Sequence, residues 1–455
     1  MKPGTIAIEV SPGETRAALI GEDQRLVEFF IDRMGQHSLI DGIYLGRVRH
    51  IEKAQGGAFV EITNGITGFL SQSKGLTQGQ SLVVQVIRDA AGDKGPTLSR
   101  RPAMRGRYIT LRPDGRGVAL DKGLGAGLAH AELEAFSPEL ARDGFGVIIK
   151  PPAAFAEENA LREESSWLFT AWTEISEIAD TASAPALLAP PPNAIVRILR
   201  DRATKGEIII DDREVFHETL TLVRDTMPDL YGLVRRHETP EPIFEAIGVA
   251  DEVDTLGDRV IPLPGGGRMT IDAVEALTAI DVDRGAASGG GTREDAILAF
   301  NISATKEAAR QIRLRNIAGL ILIDLISIRH KAKKGVLVQA AKKAFRSDPT
   351  MTDVLGITSA GLLEITRRRT GATLSTWFNA PANTPKDAGA DACEALRTAL
   401  REGGAKDLTL TAAPEIINRL TGPLANALET VNRKLGRPLT LKADQSKVGF
   451  EIHER

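Results

Sequence analysis

The sequence predicts a multidomain protein of mixed α/β and all-β construction. Three observations lead there. The chain has 455 residues, enough for about two to four domains of ordinary size. Residues 38–99 run through short strand-like segments (GIYLGRVRHIE, GAFVEI, TGFLSQSK, SLVVQVIRD) broken at Gly56-Gly57, Asn64-Gly65 and Gly92-Asp93. Strands this short and this closely spaced predict a small barrel of the OB class. Residues 257–378 alternate apolar strands with helical stretches, the pattern of a layered α/β sheet.

The elements follow in chain order. TIAIEV, TRAALI and RLVEFFI, with turns at Ser11-Pro12-Gly13 and Gly21-Glu22-Asp23, read as a three-stranded meander over 4–33. Three strands alone seldom make a stable domain. Residues 1–35 are therefore expected to share a sheet with 195–256, where AIVRILRD and EIIID read as strands followed by two helical stretches. The barrel takes 36–100. Residues 100–196 open on RRPAMRGR, show helical spacing over 156–180 and end in PALLAPPPN, which reads as a connector. In the 257–378 domain, RVIPLPGGGRMTIDAVEALTAIDVD predicts a hairpin leading into a buried strand. A glycine-rich loop, GAASGGGT, comes next, then an amphipathic helix over 294–316, the strand GLILID, a basic helix and a further strand–helix pair. Residues 379–389 read as a polar linker. Residues 390–455 read as a small α+β domain: a helix, the strand LTLTA, a long helix and two terminal strands.

Composition narrows the function classes. Hydrophobic residues make up 42% and charged residues 26%, ordinary for a soluble globular chain. A net charge of −3 excludes a uniformly basic coat, so any polyanion site must be a local patch. A single cysteine, Cys393, excludes an intramolecular disulfide and any zinc site built from two or more cysteines of one chain. It suits a reducing cytosol, so a cytoplasmic location is expected. MKPGTIAIEV lacks the apolar core of a signal peptide. No run approaches the ~18 apolar residues of a membrane span.

Asp281 and Asp324 carry the chemistry. Each ends an apolar strand, ALTAID and LILID. A carboxylate is costly to bury unpaired, but at a strand end it can face the crevice where α/β sheets bind ligands. Two such groups on neighbouring strands can hold one Mg²⁺ through oxygen ligands and water, and such an ion activates water against a phosphodiester. Capping of the next segment, or pairing with an arginine, accounts better for either aspartate alone, and two aspartates in near-identical context bring the readings level. Residues 329–346, RHKAKKGVLVQAAKKAFR, contain seven Lys/Arg and no acid. This helix reads either as a phosphate-binding surface or as a solvated face. RRR at 367–369 adds to the same half of the domain. On the barrel, Phe59, Phe69 and Lys94, with Arg47, Arg49 and Lys53 nearby, fit a face that stacks unpaired bases. AFV and GFL fit buried strands equally. No P-loop, dinucleotide fingerprint or G-x-S-x-G elbow is present.

EALTAIDVD, GLILIDLI about forty residues later, and GLLEITRRR resemble the catalytic domain of the ribonuclease E/G family in spelling and spacing. The resemblance extends to LPGGGRMTID and to EAARQIRLRNIAGL. Upstream, IYLGRVRHIEKAQGGAFVEITNGITGFL resembles that family's S1-type RNA-binding domain. The order of parts agrees. The resemblance implies a split RNase H-like domain (1–35 with 195–256), the S1 barrel inserted in it (36–100), a 5′-sensor-like segment (101–194), a DNase-I-like catalytic domain (257–378) and a small tail (390–455). It covers nearly the whole chain and is weakest over 110–190. It implies a Mg²⁺-dependent endoribonuclease that cuts single-stranded, often A/U-rich RNA internally, leaving a 5′-monophosphate and a 3′-hydroxyl. Asp281 and Asp324 match the family's magnesium-binding catalytic pair, and Phe59, Phe69 and Lys94 match RNA contacts on its barrel.

Four departures stand against the pattern. Asp283 replaces an asparagine two residues after the first catalytic aspartate, as a third metal-side carboxylate or as the loss of an orienting amide. Ser327 replaces an acid. In the 5′-end pocket Gly106 fits, but Lys150 and Pro151 stand for an Arg-Thr pair and Met351 for an arginine. TGATLSTWFNAPANTP stands where the family has a Cys-x-x-Cys zinc link, so no zinc is expected, and any homo-oligomer would form without it. The compact form, without the long scaffold tail of the larger members, is expected. The changes at 283 and 327 keep a second reading open, a non-cleaving RNA-binding protein of the same fold acting in ribosome or RNA maturation.

Overall fold

The computed structural model describes residues 4–454 apart from 55, 91–93, 126, 286–292, 371–372, 375–386 and 404–406. The glycine-rich loop beyond Gly285, most of the 379–389 linker and most of TGATLSTWFNAPANTP lie outside the described residues. The chain divides into two compact units, one mainly of residues 7–35 and 239–455, the other mainly of 36–238.

In the 36–238 unit, five strands close into a barrel. Ile43–Glu52 pairs with both Gly57–Thr63 and Ser81–Arg88, and Ile66–Leu70 and Thr97–Ser99 complete the circuit. Strand alternation in GAFVEIT sends Ala58, Val60 and Ile62 inward and leaves Phe59, Glu61 and Thr63 outside. Val48, Leu70, Val84, Val86 and Leu98 fill the remaining interior. The proline-rich segment is more than a connector. Ala186–Ala189 forms a further strand against Ile43–Glu52, because its prolines flank the paired residues and spare their N–H groups.

Beyond the barrel, Gly117–Leu120, Gly146–Ile149, Ile109–Arg112 and Met104–Arg105 make a four-stranded sheet in that order. The expected helix, Glu158–Thr181, packs Leu161, Leu168 and Phe169 with Tyr108, Ile109 and Leu111 of this layer. AIVRILRD is not a strand. It is the helix Ala194–Arg202, capped by the Asn193 side chain, which accepts from Val196 N–H at 2.8 Å. Ala194 and Ile198 are buried at four-residue spacing, a helical rather than an alternating pattern.

In the other unit, Ile6–Ser11, Glu14–Ile20 and Leu26–Arg33 form the expected meander. A six-stranded sheet then runs in the order Val260–Pro262, Arg268–Ala273, Leu277–Asp283, Gly319–Asp324, Leu363–Arg367, Thr352–Ile357. Only its central pair is parallel, and the helix Arg293–Leu314 makes the crossover. Ala304, Ala308 and Ile312 of that helix, with Leu337, Ala341 and Phe345 of the helix Lys331–Phe345, cover one sheet face through Ile280, Val282, Ile321, Ile323, Leu363 and Ile365. The strand–helix pair expected after the basic helix is instead an antiparallel hairpin, turned at Gly361 with φ +96°. In the tail, the strand Leu408–Ala412 lies between Thr440–Ala443 and Phe450–Glu454. The expected long helix is two, Pro414–Thr421 and Ala425–Leu435, interrupted at Gly422-Pro423 because Pro423 has no N–H to continue the first. No described helix is long and apolar enough to cross a membrane.

Candidate active site

Asp281 and Asp324 are register partners across the central parallel pair. Thr278, Ile280 and Val282 are buried beneath the helices, as are Ile321 and Ile323, while Asp281, Asp283 and Asp324 are exposed. Alternation therefore places all three carboxylates on the open face, at the C-terminal ends of their strands. Neighbouring strands lie about 4.8 Å apart, so Asp281 and Asp324 can share one small ligand.

The backbone leaving Asp324 is fastened along its length. Leu325 and Ile328 are buried in the domain core. Asn301, fully buried on the helix Arg293–Leu314, donates its amide to Ile326 C=O at 2.7 Å and accepts from Ile326 N–H at 3.1 Å. Glu294, in the first turn of that helix, accepts from the N–H groups of Arg329 and His330 at 3.1 and 3.2 Å. Its carboxylate also lies 3.0 Å from the His330 ring and 3.7 Å from Lys333. Desolvation raises the Glu294 carboxyl, but these amides and cations outweigh it and hold it below the usual range. Ser327 is left exposed. The sequence reading missed Asn301 and Glu294. The one available signal was an asparagine inside the apolar stretch ILAFNIS.

Asp283 is already engaged. It is the register partner of Arg268, whose guanidinium lies 3.2 Å away, and it accepts from Gly285 N–H at 2.9 Å. Among the described residues no three His, Cys, Asp or Glu side chains gather as one ligand group. A pair of solvent-facing carboxylates fits a hard divalent cation that keeps several waters, as Mg²⁺ does, and not a closed four-ligand zinc centre. Cys393 is buried in the tail core, which pushes its thiol up to about 12.

The basic residues divide. Lys331, Lys342, Lys343, Arg368 and Arg369 are exposed, whereas Lys333 is held by Asp295 at 2.7 Å. Arg367 is structural and not part of a basic surface. Its guanidinium is buried against Asp348 at 2.7 Å and donates to Asn316 and to Ile317 C=O.

On the barrel, Phe59 and Phe69 are register partners on the outer face, with centroids 5.5 Å apart and planes at 63°. Phe59 is 40% exposed and Phe69 is half-buried. The Phe69 ring rests on Gly57, where any Cβ would come within 2.3 Å of it. Lys94 is exposed. Arg47 turns away and donates to Ala184 C=O, and Arg49 pairs with Glu61.

The structure brings Gly106 and Lys150 together, but through each other. Lys150 Nζ donates to Gly106 C=O at 2.8 Å and lies 3.4 Å from Asp201. Burial lowers the Lys150 ammonium's pKa, against the opposing pull of Asp201. Glu164 accepts from the N–H groups of Arg107, Tyr108 and Ile109. A Cβ at Gly106 would stand 2.4 Å from the Glu164 carboxyl carbon, so this position excludes side chains. Met351 is 67% exposed.

The fold joins a five-stranded barrel to a layered α/β domain with paired strand-end aspartates. The family model described as the ribonuclease E/G family matches residues 103–370, and the chain belongs to that family. It is 29% identical over 394 residues to Ribonuclease G of Haemophilus influenzae, an alignment covering 81% of this chain and 80% of that protein. Ribonuclease G of Escherichia coli is 29% identical over 390 residues, covering 80% of each. Ribonuclease E of Haemophilus influenzae is 29% identical over 388 residues, 79% of this chain and 41% of that one.

Proposed function

We propose that this chain is an endoribonuclease that cuts single-stranded RNA internally by metal-assisted hydrolysis, in RNA processing or decay. The observation that carries this reading is the register pairing of Asp281 and Asp324 on one open sheet face, together with family membership. Asp281 and Asp324 would hold Mg²⁺. When bound, that ion supplies a water of lowered pKa and offsets charge on the phosphate oxygens. Asn301 and Glu294 keep the Asp324 segment in place, so the carboxylate needs little reorganisation. Lys331, Lys342 and Lys343 attract the RNA backbone. The ring face of the barrel, with Lys94, holds unpaired bases. Water adds to phosphorus, the bond to the 3′ oxygen breaks and that oxygen is protonated, which leaves a 5′-monophosphate and a 3′-hydroxyl.

Asp283 and Ser327 favour a second reading, in which the chain binds RNA without cutting it. One experiment separates the two. A labelled single-stranded RNA is incubated with Mg²⁺ and wild-type or Asp324→Asn protein. Internal cuts by wild type alone support the endonuclease, and binding without cuts supports the second reading. Equal cutting by both proteins rejects the proposed site.

A further inference from the structure

Beside Phe59 and Phe69 the outer face of the barrel carries a third ring, one that the periodicity of the sequence hides. In Ile43–Glu52, Arg47 pairs with Glu61 and Val48 with Val60, but the next partner of the facing strand, Phe59, pairs with His50. Arg49 is the extra residue of a β-bulge. Strict alternation would send His50 to the same side as buried Val48. The bulge turns it outward, an effect for which bulges are commonly used. Arg49 stays outside as well, paired with Glu61 at 2.7 Å.

His50, Phe59 and Phe69 thus form a continuous row across three adjacent strands. The His50 and Phe59 rings lie 6.4 Å apart with planes 27° from parallel, and Phe59 meets Phe69 edge to face at 5.5 Å. The His50 side chain is 64% exposed, and the Glu52 carboxylate stands 4.0 Å from its ring. This ring is neither core packing nor a closely held ion pair.

We infer that His50 is a third base-stacking group, so that the barrel face receives three successive unpaired bases rather than two. Histidine serves this role beside phenylalanine because every nucleobase presents a π-face. The inference rests on the barrel being the RNA-binding face proposed above.

The test uses the full chain carrying Asp324→Asn and a fluorescent oligouridylate, whose own bases stack weakly. Affinity is measured for this background and for added His50→Ala, His50→Phe, His50→Lys and Phe59→Ala. The expected result is a loss of about fivefold or more for His50→Ala and for Phe59→Ala, with His50→Phe within about twofold of the background. His50→Lys should not restore binding. Rescue by lysine equal to that by phenylalanine would mean charge rather than stacking, and would overturn the inference. Unchanged affinity in His50→Ala with a loss in Phe59→Ala overturns the inference alone. Unchanged affinity in both removes the barrel reading and this inference with it.

Discussion

The Asn301 carboxamide closes two hydrogen bonds on the backbone of Ile326, two residues past Asp324, from a position with no solvent exposure. A buried donor or acceptor left without its partner costs about 1–3 kcal/mol. Asn301→Leu strands both backbone groups of Ile326. It should lower stability by at least that amount and lower cleavage further, because the segment carrying Asp324 loses its anchor. RNA affinity should stay within a few-fold. Thermal melting, cleavage rate and RNA binding on the same preparation check this. A stable, fully active Asn301→Leu protein would show that the clamp is dispensable.

Asp281 and Asp283 share one strand face but have different surroundings. Asp283 is taken up by Arg268 and by the Gly285 amide, whereas Asp281 has Asp324 as its register partner. Asp283→Asn, which restores the family's usual residue, should therefore leave cleavage within about tenfold of wild type, or 1.4 kcal/mol. Asp281→Asn should lower it by about a hundredfold or more, through loss of charge stabilisation at the phosphate. Equal losses in the two variants would assign Asp283 to the same site.

The two barrel phenylalanines should separate in stability. Phe59 is well exposed, while Phe69 lies against Gly57. Phe59→Ala should leave the melting temperature nearly unchanged and weaken RNA binding by about 1–3 kcal/mol. Phe69→Ala should weaken RNA binding and also lower the melting temperature, losing part of the ~3–5 kcal/mol that a fully buried phenylalanine contributes. A large melting loss in Phe59→Ala with unaltered affinity would make that ring a packing residue only.

What the sequence disclosed and what it withheld follow from the range of the interactions. The meander and the barrel were legible because alternation and glycine-bearing turns are local signals. The pairing of Asp281 with Asp324 was legible because two apolar strands each run into an aspartate. The helix Ala194–Arg202 was not, since its cap and its four-residue burial spacing lie in a short segment that also reads as a strand. Asn301 and Glu294 were hidden because their partners are backbone groups 25 and 35 residues away, which carry no side-chain signature. His50 was hidden because a bulge changes the phase of a strand by one residue without altering its composition. The basic tract was over-read at Arg367, where a distant acid, Asp348, buries the charge.

Recognition of the RNA 5′ end should be weak. A pocket for a terminal monophosphate needs several donors converging on one dianionic group, and arginine suits this because its fork is planar and bidentate. At the corresponding positions, Lys150 already donates to Gly106 C=O and faces Asp201, and Pro151 has neither a hydroxyl nor an N–H. Glu164 occupies the N–H groups of residues 107–109 beside Gly106. A phosphate would have to displace two internal carboxylates and leave them near its own charge. One RNA prepared with 5′-monophosphate, 5′-hydroxyl and 5′-triphosphate ends should therefore be cut at rates within about threefold of one another, a difference well under 1.4 kcal/mol. Asp201→Ala removes the carboxylate that faces the Lys150 ammonium and should raise the rate on the monophosphate RNA relative to the hydroxyl form. A monophosphate preference above about tenfold in the wild type, lost in Lys150→Ala, would show that the pocket works as it stands.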